Sequence, residues 1–111
     1  MAAKYVPERG DLVWIAFDPQ AGHEQTGRRP GLVITPSAYN SKSGLVLIRP
    51  VTSQIKGNPF EVALPDNRIS GVVLADQVRS LDWSARSAEK ASQVDEHVLA
   101  LVLAKIAALI K

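Results

Sequence analysis

A mainly β domain, a small β-barrel or sandwich with a C-terminal α-helix and short helical turns, is the fold class the sequence predicts. Short apolar runs recur roughly every ten residues, each bounded by Gly, Pro, Asn or Asp. Several runs are continuous rather than alternating, as expected of strands covered on both faces. Apolar residues at sustained helical spacing appear only after Asp95.

Residues 1 to 8 read as a loosely held arm, and Gly10-Asp11 as a turn. Leu12 to Phe17 is the first predicted strand, ended by Asp18-Pro19, with Trp14 expected in the core. The polar stretch His23 to Pro30 reads as a loop delivering a second strand, Gly31 to Thr35. Pro36 to Asn40 has the composition of one helical turn, and Ser41 to Gly44 that of a tight return. Leu45 to Arg49 is the third strand, closed by Pro50. A second loop, Ile55 to Pro59, leads into Phe60 to Leu64, where Phe60, Val62 and Leu64 alternate toward a core. Gly71 to Ala75 is the fifth strand, continued after a break by Asp76 to Trp83. The polar segment Ser84 to Gln93 reads as a connection. Asp95 is placed to cap a helix with Glu96 in its first turn. From there Val98, Leu99, Val102, Leu103, Ile106, Leu109 and Ile110 fall within an arc of about 140°, the face expected to cover the barrel, with Leu101 outside it.

These elements make one domain, 1–111, large enough to bury a core without metal or disulfide support. There are no cysteines, so thiolate zinc sites and disulfide frameworks are excluded. The two histidines, His23 and His97, are far apart in sequence, so no metal or other cofactor is expected. The N-terminus lacks the apolar core of a signal peptide, and no apolar run approaches a membrane span. A cytoplasmic protein with no membrane partner is therefore expected. The net charge of +2 is compatible with nucleic acid but does not demand it.

Chemistry concentrates in the loop His23-Glu24-Gln25-Thr26-Gly27-Arg28-Arg29, which carries an imidazole, a carboxylate and two guanidinium groups. Gly10-Asp11-Leu12-Val13-Trp14, Asp18-Pro19, His23-Glu24-Gln25 and Arg29-Pro30 resemble the opening of the MazF/PemK toxin family. Pro50-Val51-Thr52-Ser53, Gly71 to Gln77 and Ala85-Arg86 continue the resemblance in the same order and spacing. It extends from about Arg9 to the C-terminus. The resemblance implies a PemK-type, SH3-like barrel and a sequence-selective, metal-independent endoribonuclease acting on single-stranded RNA. It also implies a homodimer and a cognate antitoxin with an acidic tail.

Ribonucleases that use no metal employ the substrate's own 2′-hydroxyl as nucleophile. They need a proton acceptor, positive charge on the phosphorane and a donor for the leaving oxygen. By the resemblance, Arg29 is catalytic, and its guanidinium suits charge stabilisation, since its pKa is too high for a base. Thr52 is the residue whose hydroxyl is expected at the scissile phosphate, with Ser53 beside it. His23 has the one side-chain chemistry here naturally suited to moving a proton near neutrality. Glu24 and Asp76 are alternative bases or orienting carboxylates, and the Asp76-Gln77 pair resembles one to which catalysis or base recognition is attributed in some members. Arg28 and Arg86 are expected near phosphates, and Phe17 is placed to stack on an unpaired base. In some relatives an arginine two residues before the aspartate is catalytic; here that residue is Leu74, so that scheme does not transfer.

Two other functions remain open at this point. One is a topoisomerase-binding toxin resembling CcdB, although this chain lacks the Trp-Gly-Ile terminus of those proteins. The other is an SH3-like peptide-binding module, for which aromatic residues are sparse.

Overall fold

The computed structural model describes residues 5–17, 28–65 and 68–110. Its strands are β1 (Asp11–Ala16), β2 (Arg28–Val33), β3 (Leu45–Thr52), β4 (Glu61–Ala63), β5 (Val72–Leu74), β6 (Arg79–Asp82) and β7 (Glu89–Gln93). Two helices, α1 (Ser37–Ser43) and α2 (Glu96–Ile110), complete it. All pairings are antiparallel, in the order β4-β5-β3-β2-β1-β7, with β6 on β3. The mainly β class with a C-terminal helix holds.

The continuous apolar runs do serve two faces. In β1, Leu12 enters one core with Leu32, Val51, Val73 and the α2 residues Val98 and Val102. Its neighbours Val13 and Ile15 enter a second core with Val46, Ile48, Leu81 and Trp83.

Prolines shape the middle of the sheet. The sequence reading stops one strand at Pro50 and begins another after Pro30, yet both prolines lie inside strands. The Ile34 N–H donates to Leu47 O (3.0 Å), and hydrogen-bonded pairs alternate along an antiparallel ladder. Opposite Gly31, Pro50 therefore turns its nitrogen away from β2. On that far edge β3 pairs β6 up to Ile48 and β5 from Val51, so the proline sits in the gap between them. By the same alternation the Pro30 nitrogen faces β3, and the β2–β3 ladder ends at Gly31–Pro50.

Other expectations need correction. Ser84 to Gln93 contains a strand: β7 pairs β1, from Asp11–Gln93 to Trp14–Glu89. It is an edge strand with mostly exposed side chains, so no apolar alternation marks it. The Asp76–Trp83 segment forms β6 and pairs β3 rather than continuing β5. Trp14 is not core; it is 39% exposed. The α2 stripe is buried at Val98 and Val102, with Leu103 and Ile106 packed against the core, but Leu109 and Ile110 are exposed.

The expected turn at Pro36 to Asn40 runs on to Ser43 and ends at Gly44 in the left-handed conformation. Its last residue in that reading, Asn40, is fully buried and joins three segments. Asn40 Nδ2 donates to Pro7 O (2.8 Å) and Thr35 O (2.9 Å), and Trp83 Nε1 donates to Asn40 O (2.8 Å). The described part of the amino-terminal arm, residues 5–8, is held rather than loose, since the Tyr5 hydroxyl and the Glu8 N–H both donate to Asp11 Oδ2. Lys90 Nζ lies 3.5 Å from the other Asp11 oxygen.

Candidate active site

Where Pro30 ends the β2–β3 ladder, the two strands lose their hydrogen bonds and a depression opens. Continuing the Gly31–Pro50 register by two residues sets Arg29 opposite Thr52. Two adjoining cavities, of about 530 and 580 Å³, share Arg29, Val51, Thr52 and Gln54. Arg29 is exposed, and among the described residues no hydrogen bond or ion pair engages its guanidinium. Thr52 is half-buried, and its hydroxyl accepts the Gln54 N–H at 3.1 Å, a local turn that leaves the hydroxyl proton free to donate.

The backbone permits this approach through glycine. A Cβ on Gly71, whose φ is +126°, would lie 2.2 Å from Thr52 O, so β5 can start beside Thr52 only without a side chain there. A Cβ on Gly31 would lie 2.6 Å from Ile48 Cδ1 and 3.0 Å from Phe17 Cζ.

The first cavity is lined by Phe17, Lys56, Asp76, Gln77 and Arg79 besides the shared residues. Phe17 is only 5% exposed, and the Arg79 guanidinium stands over its ring. Asp76 and Gln77 occupy the turn after β5, both exposed. The Lys56 loop is preformed: Glu61 accepts the Lys56 and Gly57 N–H groups at 3.0 and 2.8 Å. The second cavity adds Trp14, Ser53, Arg68 and Ser70. With Arg29, Lys56 and Arg79 against Asp76 and Glu61, the first cavity holds an excess of positive charge.

The remaining sequence candidates lie elsewhere. Arg28 lines neither cavity and is held in an ion pair with Glu89 at 3.0 Å. Arg86 lines neither cavity; its Nη1 donates to Ala16 O (2.8 Å) and Phe17 O (3.0 Å), securing the end of β1. His23 and Glu24 lie outside the described residues. No group of three His, Asp or Glu among the described residues is placed to hold a metal ion.

Sequence reasoning did not single out Arg79, Lys56, Arg68 or Arg49 as site residues. For the first three the signal was a cation beside a strand end. Arg49 gave the same signal, as the last residue of the third predicted strand, but nothing in the sequence marked it as buried. It is 7% exposed, and its Nε donates to Ala75 O at 2.9 Å while its buried Nη1 has no hydrogen-bond partner among the described residues. Burial pushes the Arg49 guanidinium below its ordinary pKa, and the nearby Asp76 carboxylate works in the opposite direction.

A small two-core β domain with a mildly cationic cleft between parting strands is of the class that can receive a phosphate backbone. Residues 8–110 match the family described as PemK-like, MazF-like toxin of type II toxin-antitoxin system, and the chain belongs to that family. It is 50% identical over 110 residues to the Escherichia coli K12 protein named Endoribonuclease toxin MazF, covering 99% of each chain. The crystal structure of MazF from Deinococcus radiodurans superposes with a TM-score of 0.87 at 56% identity, covering 96% of this chain and 98% of that one. A MazE-MazF crystal structure from the same organism (Form-III) gives 0.87 at 53% identity, covering 96% and 97%.

Proposed function

We infer that this chain is the endoribonuclease toxin of a type II toxin–antitoxin pair and cuts single-stranded RNA by attack of the substrate's own 2′-hydroxyl. The carrying observation is the paired cavity that meets at Arg29 and Thr52, lined on both sides by further cations. The scissile phosphate sits at the junction, with nucleotides on either side entering one cavity each. In the reaction the 2′-oxygen bonds to phosphorus and loses its proton to a base, and the bond from phosphorus to the 5′-oxygen breaks. That oxygen takes a proton and leaves as a hydroxyl, and a 2′,3′-cyclic phosphate remains. Arg29 stabilises the phosphorane with two parallel donors, and the Thr52 hydroxyl donates to a non-bridging oxygen. His23 is the base, with Glu24 or Asp76 as the alternative.

The working unit is a cytoplasmic homodimer, formed in part through the exposed apolar face of α2 around Leu101 and Leu109. An acidic antitoxin segment competes with RNA for the cationic cleft. Neither alternative function is favoured: among the described residues the cleft carries Arg29, Lys56, Arg68 and Arg79 beside only two aromatic residues, Phe17 and Trp14, and the chain is 50% identical over its length to a protein named as an endoribonuclease toxin.

The test is incubation of the purified protein with single-stranded RNA in EDTA. Expected products end in a 2′,3′-cyclic phosphate and a 5′-hydroxyl, and an RNA with one 2′-deoxy residue at the cut stays whole there. A requirement for Mg²⁺, or cleavage of the deoxy substrate, would overturn the mechanism.

A further inference from the structure

We propose that Arg49 is a positioning residue that fixes the Ala75–Gln77 turn against Thr52, and so sets which base is accepted beside the cut. The inference rests on the endoribonuclease reading and deepens it. Arg49 lies on β3 where the second edge of that strand is unpaired, between the Ile48–Arg79 and Val51–Val73 pairs. No strand supplies ladder bonds across that gap. The Arg49 Nε instead donates to Ala75 O at 2.9 Å, while Ala75 N donates to Phe60 O at 3.0 Å on the other side.

The turn is thus gripped from both flanks. Two residues on, the Gln77 N–H closes back on Leu74 O at 3.1 Å. Asp76 and Gln77, carried between and beyond these anchors, both border the first cavity. Thr52 belongs to the same strand as Arg49, three residues on, so one rigid segment sets the phosphate contact and the base-reading turn together.

A buried guanidinium is costly unless its donors are paired, and an apolar side chain of similar size would stabilise the strand at least as well. Here one donor is paired and buried Nη1 is not, an arrangement poor for stability. Its placement beside Asp76 makes sense as control of that turn.

The experiment uses the full chain and a pool of single-stranded RNA with randomised sequence, cut ends being read by sequencing. Arg49→Leu should keep the fold by circular dichroism yet accept more than one base at a position the parent restricts. On the preferred RNA it should cut about ten- to a hundredfold more slowly, the scale of a small misplacement of a contacting group. Asp76→Asn should relax the same position, and the double variant should lose no more than the worse single one. Amide exchange at Gln77 should quicken in Arg49→Leu and return partway in Arg49→Lys. An unchanged cleavage motif in a folded Arg49→Leu protein overturns the proposal. Should that variant not fold, Arg49→Lys and Arg49→Met decide by the same two readouts. If the parent cuts no RNA, the endoribonuclease reading fails, while unaltered Gln77 exchange would separately show that Arg49 does not hold the turn.

Discussion

The Arg79 guanidinium lies 5.7 Å from the centre of the Phe17 ring, and its Nη2 stands 3.5 Å from the Phe17 carbonyl oxygen. The pair ties the start of β6 to the end of β1 and presents a cation, rather than a bare ring, to the first cavity. Arg79→Ala should weaken RNA binding about equally for all sequences. It should also reduce the slope of log affinity against log salt by about 0.7, the value for one phosphate of a single strand. Arg79→Lys should restore the slope. Binding isotherms across a salt series decide this, and an unaltered slope would place Arg79 off the RNA path.

Arg29→Ala and Thr52→Ala should each cost a hundredfold or more in cleavage, roughly the loss expected for a transition-state donor. The fold should survive both. Among the described residues no hydrogen bond or ion pair of the Arg29 side chain would be orphaned, and Thr52 gives up one turn hydrogen bond worth about 1 kcal/mol. Thermal melts alongside single-turnover rates separate the two effects. Normal cleavage by either variant removes that residue from the catalytic set.

If His23 accepts the 2′-hydroxyl proton, the rate should climb with pH through an apparent pKa near the ordinary histidine value of about 6.5. His23→Gln should abolish that limb and most of the activity with little change in RNA affinity. A carboxylate base would leave the limb in place in His23→Gln, and at lower pH. The profile must be recorded on both proteins, because burial can raise a carboxylate toward neutrality.

Stability should fall at alkaline pH through Tyr5. Burial, then its hydrogen bond to Asp11, push the Tyr5 hydroxyl above its ordinary value near 10. The folded state therefore holds this proton more tightly than the unfolded chain does. The contribution is complete below about pH 10 and is lost progressively above it, as the unfolded chain begins to release the proton. Melting temperatures between pH 8 and 11 should show this decline, and Tyr5→Phe should flatten it. An equal alkaline decline in Tyr5→Phe would assign it to other groups.

The sequence by itself determined the strand-rich class, the C-terminal helix and the family. Glycine and proline punctuation and apolar periodicity act over a few residues, and those signals are strong at Leu12 to Phe17 and from Val98 onward. It also marked Arg29, Thr52, Asp76 and Gln77, which the fold gathers around one cleft. Only the tertiary structure decided that Arg28 to Pro30 is strand, that Glu89–Gln93 is strand, that Trp14 is exposed and that Arg49 is buried. Each depends on a partner remote in sequence: Gln93 pairs with Asp11, and Arg49 with a carbonyl across a gap between β5 and β6. A ladder satisfies backbone groups whatever the side chains are, so polar residues and even proline become strand where a neighbour leaves an edge or a gap for them.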